Sequence, residues 1–370
     1  MIAILCINID AVGGVEVVSK KLFNEFVRAE VPVKLYSCRA TKEQQYESLC
    51  IETETKLTTS DISKIVERFI SDKVSKVIIQ LNDPYICLLA NIKLYKQLNR
   101  VGIKTYTVIH GSPKSFVYRY PYPFDSSFVF CMKKIKTKFY YAPKSRAFIK
   151  KIRDVTNFIS LCEGNKAELM QYFGAKSVVI PNVLDYHLDD DFNLNIKQHT
   201  IACIARIDFY AKNFFLLLDA WNSVTDKQDW QLNLIGSGDS KILSDYMEEK
   251  GIENIKIIAG KKNEDVLKYL ESNSILILTS YHEGFPTVIA EAASKYNAII
   301  TTKYDGFSTE IVEDGFSGYV VNFDTNELAG KIQNLISDEV QLKVFQKNAY
   351  NKLKCCESID TIKLWEKVMV

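Results

Sequence analysis

The feature that most constrains this chain is a repeated alternation of short β-branched runs with amphipathic helical patterns. Strands separated by helices return in parallel through crossover connections. In the front half, Ile2–Ile9, Val33–Tyr36, Lys76–Leu81 and Lys104–Ile109 read as strands, with one helix after Gly13-Gly14 and another near Asp61–Ser71. The alternation resumes at Thr200–Ala205, Gln231–Ile235, Ile255–Ile258, Ile275–Leu278 and Ala298–Thr302, with Asp239–Lys250 and Glu264–Ser272 helical between them. One parallel sheet is thus followed by a second. At 370 residues the chain exceeds the ~100–200 residues of a single domain, and two cores are expected.

Between the two series, Ile180-Pro181-Asn182-Val183 and the polar stretch 185–199 break the periodicity as an interdomain hinge does. The expected division is residues 1–182, residues 183–354, and a terminal helical stretch 355–370, carrying Trp365, that packs back on the first domain. The expected fold class is therefore α/β, two Rossmann-like parallel-sheet domains facing each other across a cleft. With 47% hydrophobic and 25% charged residues and only eight prolines, nothing in the composition demands disorder. A formal charge of +2 argues against a general nucleic-acid binder. The nine cysteines are scattered apart from Cys355-Cys356, fit no zinc or redox spacing, and read as reduced cytosolic thiols. Residues 1–9 are apolar but lack a basic leader and a cleavage site, and no run approaches ~18 apolar residues, so a cytoplasmic protein without a membrane span is expected.

Open parallel sheets bind ligands at the carboxyl ends of their strands, so chemistry is sought there. The strongest local signal is Thr279-Ser280-Tyr281-His282-Glu283-Gly284-Phe285-Pro286-Thr287-Val288-Ile289-Ala290-Glu291, which follows one strand and opens a helix. Gly284 lets backbone approach a ligand closely. Pro286 near the first turn leaves the amides that follow pointing outward, where the helix dipole favours a phosphate. Glu291, about one turn in, leans back toward the helix start. On these residues alone the stretch also reads as a surface loop with an ordinary cap and a solvated glutamate.

The two glutamates separated by seven residues resemble the signature of the retaining glycosyltransferases of GT-B fold that include glycogen and sucrose-phosphate synthases and many bacterial polysaccharide enzymes. Further places agree in order along the chain. Gly13-Gly14-Val15-Glu16 resembles the family's glycine pair, whose amides approach the donor phosphate, although alone it is a tight turn. His110-Gly111, after the strand Lys104–Ile109, resembles the histidine that faces the donor sugar; a lone histidine is as readily structural. Val179-Ile180-Pro181-Asn182-Val183 resembles the linker, with Val183 where glycine is common. Ala205-Arg206-Ile207-Asp208 with Lys212-Asn213 resembles the arginine and lysine pair that neutralises the diphosphate, with Asn213 where glycine is common. Gly236-Ser237-Gly238-Asp239 resembles the glycine pair beside the nucleotide, and alone reads as a turn before a helix. Lys261-Lys262 falls where the base is read, and the pattern continues through Glu310–Gly318.

The resemblance implies a nucleotide-sugar donor, a UDP-sugar first among them, as substrate and no cofactor. Arg206 and Lys212 would take the diphosphate, helped by amides of Gly284, Phe285, Pro286, Thr287 and Val288 and by Gly13, Gly14, Gly236 and Gly238. Glu291 would bind ribose hydroxyls, and Glu283 and His110 would act on the transferred hexose with retention of configuration. The glutamates are then not a hydrolase's acid and base. The chain lacks an obvious Asp-x-Asp metal motif, since Asp189-Asp190-Asp191 lies in the expected linker and reads as a solvated acidic turn, so no metal is expected. The alternatives are a nucleotide-sugar 2-epimerase of the same fold, which the paired glutamates count against, and a non-catalytic glycan-binding or scaffold protein. A dinucleotide oxidoreductase would need a three-glycine fingerprint after the first strand.

The sharpest composition shift lies between His110 and Arg153. Asp125 is the only acid there, against many lysines and arginines interleaved with Phe116, Tyr118, Tyr120, Tyr122, Phe124, Phe128, Phe130, Phe139, Tyr140, Tyr141 and Phe148. Such a stretch can sit on an anionic membrane at the inner face of the plasma membrane, or form an ordinary basic helical face over a partly buried aromatic side. The membrane reading implies a polyprenyl-pyrophosphate-linked saccharide or other glycan as acceptor and a cell-surface polysaccharide as product.

Overall fold

The structure is a computed structural model that describes all residues except 12, 83–86, 121–126, 185, 187, 208–210, 260–262 and 358. Lys261-Lys262, Asp208, Tyr122 and Phe124 therefore lie outside the described residues. The chain divides into two compact units, one of Met1–Arg119, Ser126–Val183 and Asp360–Val370, the other of Tyr120–Asp125 and Leu184–Ile359.

The first unit holds a seven-stranded sheet of β1 (Ile2–Cys6), β2 (Val33–Ser37), β3 (Glu47–Ser48), β4 (Lys76–Leu81), β5 (Lys104–Ile109), β6 (Asn157–Ser160) and β7 (Ser177–Val179). Its order is β3-β2-β1-β4-β5-β6-β7, with parallel pairing throughout. The order reverses between β1 and β4, the switch point at which doubly wound sheets take ligands. The helix Thr59–Ser71 shows why one face is dry. Thr58 and Asp61 form a reciprocal capping box, and Ile62, Ile65, Val66 and Phe69 recur at helical spacing and are buried, with the Phe69 ring 4.9 Å from Tyr36. The terminal helix Thr361–Met369, capped by Asp360, belongs to this unit. Its Trp365 is 2% exposed and lies 6.5 Å from Phe26 and 6.3 Å from Tyr106. The preceding helix runs from Glu339 to Glu357, so the break in the C-terminal helical stretch falls a few residues beyond 355 and Cys355-Cys356 stays with the second unit.

The second unit holds β8 (Thr200–Ile204), β9 (Gln231–Gly236), β10 (Ile255–Ala259), β11 (Ile275–Leu278), β12 (Ala298–Thr302) and β13 (Gly318–Val321) in the order β10-β9-β8-β11-β12-β13. Its switch point lies between β8 and β11. One face is covered by the helices Phe214–Ser223 and Thr325–Ser337, the other by Thr287–Ser294, and Glu339–Glu357 contributes to both, with Leu342 and Phe345 in the first core and Ala349 and Leu353 in the second. At the opposite end of the strands, the half-buried Lys197 amine donates to the carbonyls of Leu270 (2.9 Å) and Asn273 (2.6 Å) and fastens the polar connection to the sheet. Burial pulls its pKa down to about 7. In the acidic triplet, Asp190 accepts from the Tyr350 hydroxyl at 2.8 Å and from Lys354 at 2.6 Å, so it ties this connection to the helix Glu339–Glu357.

Candidate functional site

In the second unit the residues singled out in sequence gather at the carboxyl ends of β8, β9 and β11. The chain leaving β8 continues the ladder for one more turn: Ala205 N–H donates to the Ile235 carbonyl at 3.0 Å and Ile207 N–H to the Ser237 carbonyl at 2.8 Å. Arg206, between them, is exposed. Gly236 and Gly238 make this approach possible. A methyl group on Gly236 would sit 1.9 Å from the Ala205 carbonyl oxygen, and Gly238 has φ +137 with Ile207 pressed against it. Their role here is to let two strand ends close on each other and present Arg206.

The loop after β8 is also zipped to the loop after β11. Tyr281 N–H donates to the Ala211 carbonyl at 2.8 Å, and the Thr279 hydroxyl to the Lys212 carbonyl at 3.0 Å. This brings Lys212 Nζ to 2.5 Å from Glu283 Oε1, which also accepts from Ser280 Oγ at 2.5 Å; the two ionic side chains are 21% and 12% exposed. Asn213 then adopts φ 45, ψ 49 to enter the helix Phe214–Ser223, a left-handed conformation that glycine takes freely and asparagine tolerates better than other residues. The glycine-to-asparagine departure noted in sequence thus keeps the same backbone demand.

Beyond Glu283, Gly284 is buried and Pro286 is the N-cap of the helix Thr287–Ser294, one position earlier than the first turn expected. Pro286 itself supplies no side-chain cap to this helix start. Phe285, Thr287 and Val288 are half-buried, and Glu291, the helix's fifth residue, is 6% exposed. Glu291 is therefore not a solvated surface glutamate. Sequence reasoning missed Asp305, whose carbonyl accepts from Glu283 N–H at 3.2 Å, and Thr302, whose hydroxyl donates to the Ser280 carbonyl at 2.8 Å. It also missed an aromatic cluster beside them. Tyr120, which groups with this unit, stacks on Tyr281 at 4.5 Å and donates to Asp305 Oδ2 at 2.5 Å, with Phe323 5.0 Å from Tyr281.

The first unit carries His110 and the Gly13-Gly14 pair on the same edge of its sheet, after β5 and β1. His110 N–H donates to the Leu81 carbonyl, and its Nε2 meets Gln80 Oε1 at 2.5 Å. A side-chain carbonyl can only accept, so Nε2 carries the proton and Nδ1 keeps its lone pair. Burial pulls the imidazole's pKa down to about 4, so the ring is neutral near pH 7. Gln80, 4% exposed on β4, was not singled out; a lone amide in the otherwise apolar end of Lys76–Leu81 is the signal that marks it. Gly13 is the N-cap of the helix Gly14–Arg28, and a methyl group there would lie 2.5 Å from Glu16 Oε2. The Glu16 carboxylate thus occupies the space the glycine leaves, and burial raises its pKa.

Residues 188–352 match the profile of the family described as glycosyl transferases group 1. The amylovoran biosynthesis glycosyltransferase AmsD of Erwinia amylovora is 30% identical over 201 residues, covering 52% of this chain and 56% of that protein. The chain spans about half the length of the curated relatives it matches. Among solved structures, sucrose-phosphate synthase from Thermosynechococcus elongatus superposes with a TM-score of 0.75 at 14% identity, over 100% of this chain and 98% of that one. HepE of Anabaena, in complex with UDP and glucose, does so with a TM-score of 0.73 at 15% identity over the same shares. The architecture of two parallel-sheet α/β units is GT-B, and the profile of the glycosyl transferases group 1 family lies on the second of them.

Proposed function

We propose that this chain transfers a hexose-type sugar from a nucleoside diphosphate donor, a UDP-sugar first among them, to a glycan or polyprenyl-pyrophosphate-linked saccharide in cell-surface polysaccharide assembly. The observation that carries this reading is the Lys212–Glu283 ion pair beside the helix start at Pro286, at the switch point of the second sheet. A cation and outward amides at that place suit a diphosphate. Amylovoran biosynthesis by the Erwinia relative supports the product class, and the UDP and glucose bound by HepE support the donor class.

In this reading Arg206 and Lys212 hold the diphosphate and stabilise the charge that develops on it as the bond from the anomeric carbon to phosphate oxygen breaks. The amides from Gly284 to Val288 add to that field, Glu291 binds the ribose, and Gly236 and Gly238 keep the Arg206 turn in place. The acceptor hydroxyl oxygen bonds the anomeric carbon on the face the phosphate vacates, and its proton goes to the leaving phosphate. Configuration is retained without a protein nucleophile or a metal. Neutral His110, held by Gln80, and Glu283 are assigned to the transferred sugar, and the Gly13-Gly14 amides to the donor phosphate.

The test is a panel of UDP-, GDP- and ADP-sugars followed by thermal stabilisation, nucleotide release and the anomeric configuration of the product, with Glu291→Ala and Arg206→Ala beside the parent. Stabilisation by one donor class, lost in both variants, is expected, with an α-linked product from an α-linked donor. An inverted product sinks the retaining mechanism. Nucleotide release that needs no acceptor and yields an epimerised sugar, or no response to any donor, sinks the transferase reading itself.

A further inference from the structure

Among the described residues no helix is long and apolar enough to cross a membrane, yet one helix turns an apolar stripe to solvent. The helix Ser127–Lys136 runs through a π-turn, Thr137–Tyr141, into the helix Ala142–Ile152. Its second half is anchored, with Phe148, Ile149 and Ile152 in the first unit's core. Its first half is the reverse of an ordinary amphipathic helix. Phe128 is 74% exposed, Met132 52%, Ile135 45% and Phe139 69%, and their spacing of four, three and four residues sets them on one face. No residue from 128 to 136 is fully buried.

Charge says what this face meets. Between residues 126 and 153 the sequence has no Asp or Glu; Lys136 and Lys138 flank the stripe, and Lys133 and Lys134 lie farther round the same helix. The whole chain carries only +2, so the positive charge is concentrated here. Lys138 lies 5.4 Å from the Phe139 ring, Lys136 5.4 Å from Tyr141 and Lys144 3.7 Å from Tyr140, each cation at the rim of an apolar surface. A second copy of this chain would bring lysines against lysines across a two-fold interface. Aromatic and aliphatic side chains on one side with cations beside them match the headgroup and acyl boundary of an anionic bilayer.

We propose that the segment Ser127–Tyr141 lies in the interface of an anionic lipid bilayer, with Phe128, Met132, Ile135 and Phe139 at acyl depth and the four lysines on headgroups. The bilayer then holds the unit that carries His110 at the surface where a lipid-linked acceptor resides. Lipid binding does not depend on the transfer reaction and is read without donor, so either reading can fail alone.

The experiment is flotation of the full chain with vesicles of phosphatidylcholine alone or with about 30% phosphatidylglycerol. The variants are Lys133→Gln/Lys134→Gln/Lys136→Gln/Lys138→Gln and Phe128→Ser/Met132→Ser/Ile135→Ser/Phe139→Ser. Binding to the anionic vesicles alone is expected, falling about a hundredfold or more in the lysine variant, since each surface lysine near anionic lipid is worth roughly fivefold. It should be lost in the stripe variant. A Phe128→Trp variant adds depth, because Trp221, Trp230 and Trp365 are all buried and the new indole alone should be quenched by brominated acyl chains. Equal binding of parent and variants, absence of binding to either vesicle, or an unquenched indole overturns the proposal. So does concentration-dependent self-association that disappears in the stripe variant.

Discussion

Replacing Lys212 by alanine removes the cation 2.5 Å from Glu283 Oε1 and leaves the Ser280 hydroxyl, also at 2.5 Å, on that oxygen. The effect on stability follows from burial. An exposed pair contributes about 0–1 kcal/mol, whereas stripping one partner from a fully buried pair costs about 3–5 kcal/mol. Exposures of 21% and 12% place this pair between the two, at about 2 kcal/mol. For a unit of this size that is a fall in Tm of about 4–8 °C. Glu283→Gln keeps the shape and still accepts from Lys212 and Ser280, so it should cost less than about 1 kcal/mol. The double variant leaves no unpaired carboxylate and should be more stable than Lys212→Ala alone, a coupling of about 1 kcal/mol or more in a double-mutant cycle. In turnover the two part company. Lys212→Ala should lower kcat by about 10²–10³, the scale of one lost electrostatic donor. Glu283→Gln should keep nucleotide affinity while losing transfer. Calorimetry with and without UDP, beside nucleotide-release kinetics, reads all of these. A Lys212→Ala protein with parental Tm and parental UDP affinity would refute both the ion pair and the diphosphate assignment.

The depressed pKa of His110, about 4 against an ordinary 6.5, favours the neutral ring in the fold. Its contribution to stability is therefore complete above pH 6.5 and is lost as pH falls through 4; urea denaturation should show up to about 2 kcal/mol lost between pH 6.5 and 5, absent in His110→Gln. Gln80→Leu, which removes the acceptor of Nε2–H, should reduce kcat about tenfold or more with little change in donor KM, and Gln80→Glu should raise the imidazole pKa in an NMR titration. Asn213→Gly should unfold within about 0.5 kcal/mol of the parent and Asn213→Ala about 1 kcal/mol earlier, because only the latter strains a left-handed backbone. Trp365→Ala should cost the first unit about 3–5 kcal/mol, seen as an earlier transition in denaturant for that unit while UDP binding by the second survives.

What was legible in the sequence was whatever repeats. The central strands β1, β4 and β5 and the second series β8, β9, β11 and β12 are short runs rich in aliphatic and β-branched residues, and the pattern locates them within a residue or two, apart from the first, which ends at Cys6 rather than Ile9. The strands β3, β6, β7 and β13 were not found. They have two to four residues, and their apolar character comes from neighbours rather than from alternation of their own, so no window of sequence holds a period. The basic aromatic stretch showed its composition but not which side its apolar residues would face, since exposure is a property of what packs against them.

The site divides the same way. Residues in motif order, Arg206, Lys212, Glu283 and Glu291, were visible because local sequence carries them, whereas Gln80, Thr302 and Asp305 hold their partners through contacts 22 to 30 residues away. Asn213 shows that the two kinds of information meet. In sequence it is a departure from glycine; in the fold its φ of 45 is the conformation that makes glycine common there. What the chain preserves at that position is a left-handed turn that swings Lys212 toward Glu283 and starts the next helix. Any residue that can bear positive φ meets the requirement, and a β-branched residue there should fail it even though it alters no group that touches the donor.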